Sequence, residues 1–202
     1  MDKTLVIHPK DSSTVFLSAI YKGLPDTTII TGGKTKKEIH QIMESHRRII
    51  MTGHGSPSGL FSKNNFKDCP EYIIDHSSVP FLKGKKNIFI WCHSDQFVKR
   101  FGLKGFCTGM FISEINEAAM YNIITNEKEI KYSNMLFANT VNKFIDSPNI
   151  AKIVKFIYNS RTNPVIIYNR QRIFQSQLLQ ETSRYVQLSS NNPKDCEVSK
   201  FV

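Results

Sequence analysis

Two stretches of this chain share a shape that restricts what it can fold into. Arg48-Ile49-Ile50-Met51-Thr52 is an apolar run that breaks at Gly53-His54-Gly55. Asn87-Ile88-Phe89-Ile90-Trp91 is a second run, and it breaks at Cys92-His93-Ser94-Asp95. Short continuous apolar runs suit strands covered on both faces, as in parallel sheets. In an open α/β sheet, ligands and chemistry collect at the carboxyl ends of the strands. If these two strands are neighbours, an imidazole and a thiol meet at one edge of one sheet.

The surrounding pattern fits such a sheet. Strands are predicted at Thr4–Ile7, Thr27–Thr31, Arg48–Thr52, Asn87–Trp91 and Gly105–Ser113. A sixth is predicted at Pro164–Tyr168, at an edge, where proline is tolerated. Asp11-Ser12-Ser13-Thr14 offers helix caps before Phe16, Leu17, Ile20 and Tyr21, and that helix ends near Gly23. Thr35-Lys36-Lys37-Glu38 reads as a capping box before Ile39, Ile42 and Met43. Helices are also expected at Asp95–Phe101, Glu114–Asn122, Glu127–Ile145 and from Pro148. The opening order β-α-β-α-β calls for a parallel sheet with right-handed crossovers. Residues 56–86 read as less regular, with a short strand near Leu60-Phe61. The fold class is α/β, with one domain over residues 1–175 and a polar, flexible tail over 176–202.

Composition narrows the function classes. No segment approaches the roughly 18 consecutive apolar residues of a membrane span. The apolar run at the N-terminus is too short for a signal peptide. A cytoplasmic, membrane-free protein is expected. Cys69, Cys92, Cys107 and Cys196 form no CxxC pair and no dense framework, so neither disulfides nor zinc are expected. No acidic cluster has calcium-binding spacing, and no cofactor or metal is expected. The formal net charge is +10. The positive residues are scattered, for example Lys36, Arg47, Lys85, Arg100, Lys152 and Arg172. They read as a solvated surface rather than a nucleic-acid stripe.

A thiol becomes a nucleophile on losing its proton, and a nearby imidazole takes that proton and later returns it to a leaving amine. Gly53 and Gly55 let the backbone approach a substrate closely. The amides of Gly55 and Cys92 are candidate oxyanion donors. Together these groups point to acyl transfer through Cys92 and His54. His93 adjoins Cys92 and is not expected to be the base, because adjacent residues at a turn rarely face each other. Trp91, Cys69 and Cys107 read as packing residues. His40, His46 and His76 read as surface residues.

Strand–Gly53-His54-Gly55 followed by strand–Cys92 resembles the caspase-like cysteine peptidases, and Cys92-His93-Ser94 resembles the Cys-His-Ser run of metacaspases. The resemblance covers Thr4 to about Phe174. It implies a three-layer caspase-hemoglobinase fold with a mostly parallel six-stranded sheet and an antiparallel edge strand. It also implies a Cys92/His54 dyad that needs no third side chain, acting on a protein or peptide substrate, with an activating partner protein in some relatives. Many members carry Asp, Glu or Gln two residues before the cysteine, as part of the substrate pocket. This chain has Ile90 there, and Asp95 in place of a common glycine, so specificity does not carry over. Ser113 and Glu114 at the end of the fifth strand, and His8 after the first, are further candidates for lining the pocket. A catalytically inactive caspase-like domain that binds a protein, and a basic doubly wound domain that binds nucleic acid, remain the alternatives.

Overall fold

A computed structural model describes residues 3–69 and 71–176. The expected tail and Cys196 lie outside the described residues. The strands of the main sheet are β1 (Thr4–Ile7), β2 (Thr27–Ile30), β3 (Arg48–Thr52), β7 (Lys86–Ile90), β8 (Gly105–Thr108) and β9 (Ile173–Ser176). A smaller sheet uses β4 (Gly55–Ser56), β5 (Gly59–Phe61) and β6 (Tyr72–Ile74). A 3-10 helix spans Ser12–Ile20, and the α-helices are α1 (Lys36–Glu44), α2 (Val79–Leu82), α3 (Ser94–Arg100), α4 (Ile115–Met120), α5 (Glu127–Lys143), α6 (Ile150–Asn159) and α7 (Pro164–Arg170). The six-stranded sheet has the order β2-β1-β3-β7-β8-β9. Every pair is parallel except β8 with β9.

The apolar runs explain the layering. Successive side chains on a strand point to opposite faces. Leu5, Ile7, Ile49, Met51, Phe89 and Trp91 therefore fall on one face, packed with Ile39 and Met43 of α1, Leu82 of α2 and Phe97 of α3. Val6, Ile50, Ile88 and Ile90 fall on the other, against Leu17 and Ile20 of the 3-10 helix, Phe137 and Val141 of α5 and Val154 of α6. A sheet buried on both sides selects the doubly apolar strands seen in the sequence. The capping box at Thr35 is present, with the Glu38 amide donating to Thr35 Oγ1 at 3.2 Å. Among the described residues, no helix is long and apolar enough to cross a membrane.

Three expectations need correction. Pro164–Tyr168 is helix α7 rather than a strand, and the sixth strand is Ile173–Ser176. Asn163 caps α7, its side chain accepting from the amides of Val165 and Ile166, and Pro164 begins the helix. An N-cap Asn followed by proline at the first helical position is a helix-start signal that outweighs a short apolar run. The fifth strand stops at Thr108 instead of Ser113. The Gly109 amide donates to the Arg172 carbonyl at 2.8 Å, and the chain turns off the sheet. Residues 56–86 also hold more order than their polarity implied, because β4, β5 and β6 pair antiparallel there.

Candidate active site at the ends of β3 and β7

β3 and β7 are adjacent, with Thr52 opposite Ile90 at the ends of the ladder. The pairing continues one step further, the Gly53 amide donating to the Ile90 carbonyl at 3.0 Å. His54 and Cys92 are each two residues past the matched pair. Neighbouring strands lie roughly 4.8 Å apart, so the chain passes into both residues from the same end of two adjacent strands. Gly53 has φ +141°, which L side chains rarely adopt, and this is where the chain leaves β3.

Cys92 sits in the tight turn between β7 and α3. The Ser94 amide closes that turn on the Trp91 carbonyl at 3.1 Å. Ser94 is fully buried; its Oγ lies 2.9 Å from the Phe89 carbonyl and 2.8 Å from the Thr108 carbonyl, and it accepts from the Thr108 amide at 2.9 Å. That hydroxyl ties the turn to β8. Burial pushes the Cys92 thiol up to about 11, and the Glu117 carboxylate adds to the rise. The amide of Phe111 acts in the opposite direction by donating to the sulfur. Glu117 is held in place by the amides of Ser113 at 2.7 Å and Glu114 at 3.1 Å. Asn169 of α7, itself fully buried, secures the same loop: Ile112 donates to its Oδ1 at 2.8 Å, and its Nδ2 donates to the Ile112 carbonyl at 2.9 Å.

A thiol at about 11 rather than 9.0 holds about 100-fold less thiolate near pH 8. Alkylation of Cys92 by iodoacetamide in the free protein is therefore expected to run about tenfold slower than for an ordinary thiol, since the more basic thiolate is also the better nucleophile, and to rise about tenfold per pH unit to about pH 9. Peptide mapping of the labelled cysteine measures this. A plateau below pH 8 would contradict the burial argument.

The His54 ring is engaged with the 3-10 helix. Its Nε2 lies 2.7 Å from Ser13 Oγ and 4.0 Å from Asp11 Oδ1. Ser13 Oγ donates to Asp11 Oδ1 at 2.7 Å, and Lys63 Nζ meets Asp11 Oδ2 at 2.9 Å. Among the described residues no hydrogen bond joins His54 to Cys92. Gly55 begins β4 opposite Leu60, and the neighbouring bond runs from the Phe61 amide to the His54 carbonyl at 2.9 Å. This makes Gly55–Leu60 a non-hydrogen-bonded pair, so the Gly55 N–H faces away from β5 and is open to another acceptor.

The other residues singled out in the sequence fall in different places. Ile90 is 4% exposed and packs in the core cluster on the α5 face, so its side chain is a core element. Ser113 and Glu114 lie at the start of α4, beside Glu117. Glu114 also walls a cavity of about 690 Å³ together with Ser13, Phe16, Lys131 and Asn134. His93 is the left-handed residue before α3, φ +65°, and its Nδ1 accepts from Gln96 Nε2 at 3.2 Å. Trp91 is buried, and its Nε1 donates to the Ser56 carbonyl at 3.0 Å. Two histidines are interior: His46, expected at the surface, and His8, expected to line the pocket. His46 is buried and bonded to the Ile42 carbonyl at 2.7 Å and to Thr28 Oγ1 at 3.2 Å. His8 is buried between Tyr21 Oη at 2.9 Å and Thr14 Oγ1 at 3.1 Å. Each lies where a strand or helix end turns inward, which leaves no trace in local polarity.

His8 has a consequence for stability. Burial holds it down at about 4 from an ordinary 6.5, against opposing pulls from Thr14 and Asp11. Between those values the unfolded chain binds a proton that the folded chain refuses. This contribution to stability is complete above pH 6.5 and is lost as pH falls towards 4. The loss is about 3 kcal/mol. Urea unfolding from pH 7.5 to 4.5 should show this drop in the parent chain and its absence in His8→Gln. Parallel curves for the two would refute it.

Asp11, Ser13, Lys63, Phe111, Glu117 and Asn169 were not singled out for the site in the sequence. Asp11 and Ser13 were legible only as cap residues. The available signal was topological: a loop leaving β1 lands beside whatever follows β3 when β1 and β3 pair. Among the described residues no group of three or more His, Cys, Asp or Glu could hold a metal ion. No protein-family model matches the chain, and no curated protein matches it either.

Proposed function

We propose that this chain is a caspase-like cysteine peptidase that cuts peptide bonds through Cys92 and His54. The observation that carries the reading is the Thr52–Ile90 register, with His54 and Cys92 each two residues past that matched pair on adjacent central strands. The sheet order, with its single antiparallel edge pair, agrees with a caspase-hemoglobinase-like architecture. In the proposed reaction the Cys92 proton passes to His54 and the sulfur attacks the peptide carbonyl. The oxyanion is met by the backbone amides of Gly55 and Cys92. Collapse breaks the C–N bond, and His54 returns the proton to the leaving amine. Water, deprotonated by the same imidazole, then releases the acid and restores the thiol. The cavity beside Ser13 gives a substrate side chain somewhere to sit, with Glu114 on its wall.

A second reading, a catalytically silent protein-binding domain of the same architecture, draws on the raised thiol and on the engagement of His54 with Ser13. The two readings differ in what substrate does. Catalytic hydrogen bonds in free enzymes are often long and tighten on substrate binding. Incubating the protein with a mixed peptide library and mapping the cut bonds by mass spectrometry decides between them. Cleavage that disappears in Cys92→Ala supports the peptidase. An intact library together with no labelling of Cys92 by a peptidyl acyloxymethyl ketone leaves the binding domain.

A further inference from the structure

We propose that Asp11 and Ser13 act as positioning residues that hold His54 with its proton on Nε2, leaving Nδ1 as the free base for the Cys92 thiol. This inference rests on the peptidase reading and adds two side chains to a dyad that needed none.

The argument is a count of protons. Ser13 has one hydroxyl hydrogen and two lone pairs. Its Oγ lies 2.7 Å from Asp11 Oδ1, and its amide also donates to that oxygen at 3.0 Å. An ionised carboxylate only accepts, so the hydroxyl hydrogen is committed to Asp11. The Ser13 bonds, with Lys63 beside Oδ2, hold the Asp11 carboxyl well below the usual carboxylate range, so it is ionised at neutral pH. Ser13 Oγ can then offer His54 Nε2 only a lone pair, at 2.7 Å. The hydrogen in that contact must come from the imidazole. A neutral imidazole has a single N–H, so Nδ1 carries the lone pair.

The same relay favours the reaction. When Nδ1 takes the thiol proton, the imidazolium is left 4.0 Å from Asp11 Oδ1, with the Ser13 dipole aligned between them. Lys63 tempers that carboxylate without displacing it, because it bonds the other oxygen. Asp11 is fixed independently as the cap of the 3-10 helix. Removal of Ser13 Oγ therefore tests the relay while leaving the Asp11 cap, which accepts from the Ser13 amide, in place.

The test is nitrogen-15 NMR of the imidazoles in protein labelled at histidine, with His54 assigned by its loss in His54→Gln. The parent is expected to show His54 protonated at Nε2 and bare at Nδ1. Ser13→Ala is expected to give a mixture of both tautomers, and Ser13→Thr to restore the single form. In peptide hydrolysis, Ser13→Ala should lower kcat about tenfold or more. That is less than the roughly 10²–10⁴-fold a general base supplies. A parent protonated at Nδ1, or a tautomer indifferent to Ser13→Ala, overturns the relay whether or not the protein cuts peptides. The expected tautomers in a protein that cuts nothing would leave the relay standing and remove the peptidase.

Discussion

Alanine at position 92 or at position 54 is expected to lower kcat/KM for a cleaved peptide on the order of 10⁴-fold or more, and the two changes together should cost little beyond either alone. In the proposed reaction thiol and imidazole act as one unit. Without the base the half-buried thiol stays protonated, and without the thiol the base has nothing to activate, so the losses overlap instead of adding. Burial sharpens the expectation, since a thiol raised to about 11 has almost no thiolate of its own at neutral pH. His54→Ala should therefore be nearly as damaging as Cys92→Ala. In a site with a spontaneously ionised cysteine the base would matter much less. Both side chains are only partly buried, so melting temperatures should stay close to the parent's. Steady-state kinetics on the best peptide from the library, with melting curves as the control, measures this. A His54→Ala variant within tenfold of the parent would exclude the imidazole as base.

The parts of the fold that could be read from the sequence are those where burial on both faces leaves a continuous apolar run. β1, β3 and β7 declared themselves in this way, and the breakers after two of them, Gly53 and the Cys92 turn, marked the sheet edge. Ile173–Ser176 did not, because an edge strand has one covered face and only Ile173 of the four is buried. Val165-Ile166-Ile167 read as a strand because a short apolar run has no visible period. The structure buries Val165, Ile166 and Asn169 on one helical face and leaves Ile167 exposed. The relay onto His54 was out of reach for a different reason. Ser13 and His54 are 41 residues apart, and Asp11 and Ser13 do form the local cap contact that their sequence announces. Nothing local distinguishes a cap that also holds an imidazole from one that does not.

The glycines around His54 read in the sequence as room for a substrate, and at Gly55 packing makes the stronger demand. A Cβ there would lie 2.3 Å from Trp91 Cδ1 and 2.5 Å from the Gly59 carbonyl oxygen. Neither neighbour can move freely. Trp91 is wedged among Phe89 and Phe97 and bonded to the Ser56 carbonyl, and Gly59 is backbone in β5. Gly55→Ala should therefore destabilise the fold by about 1–3 kcal/mol, the usual cost of overpacking. Trp91→Ala should cost about 3–5 kcal/mol through the cavity it leaves. The two are in contact, so they should couple: in Trp91→Ala, the added methyl at position 55 loses its clashes with the indole and keeps the one with the Gly59 oxygen, and its penalty should shrink. Urea unfolding of the two single variants and the double variant measures the coupling. Simple additivity would mean that the backbone of β5, and not the indole, dictates glycine at position 55. A shrunken penalty assigns it to Trp91, and the residue just before the thiol then sets the approach of the strand that follows the imidazole.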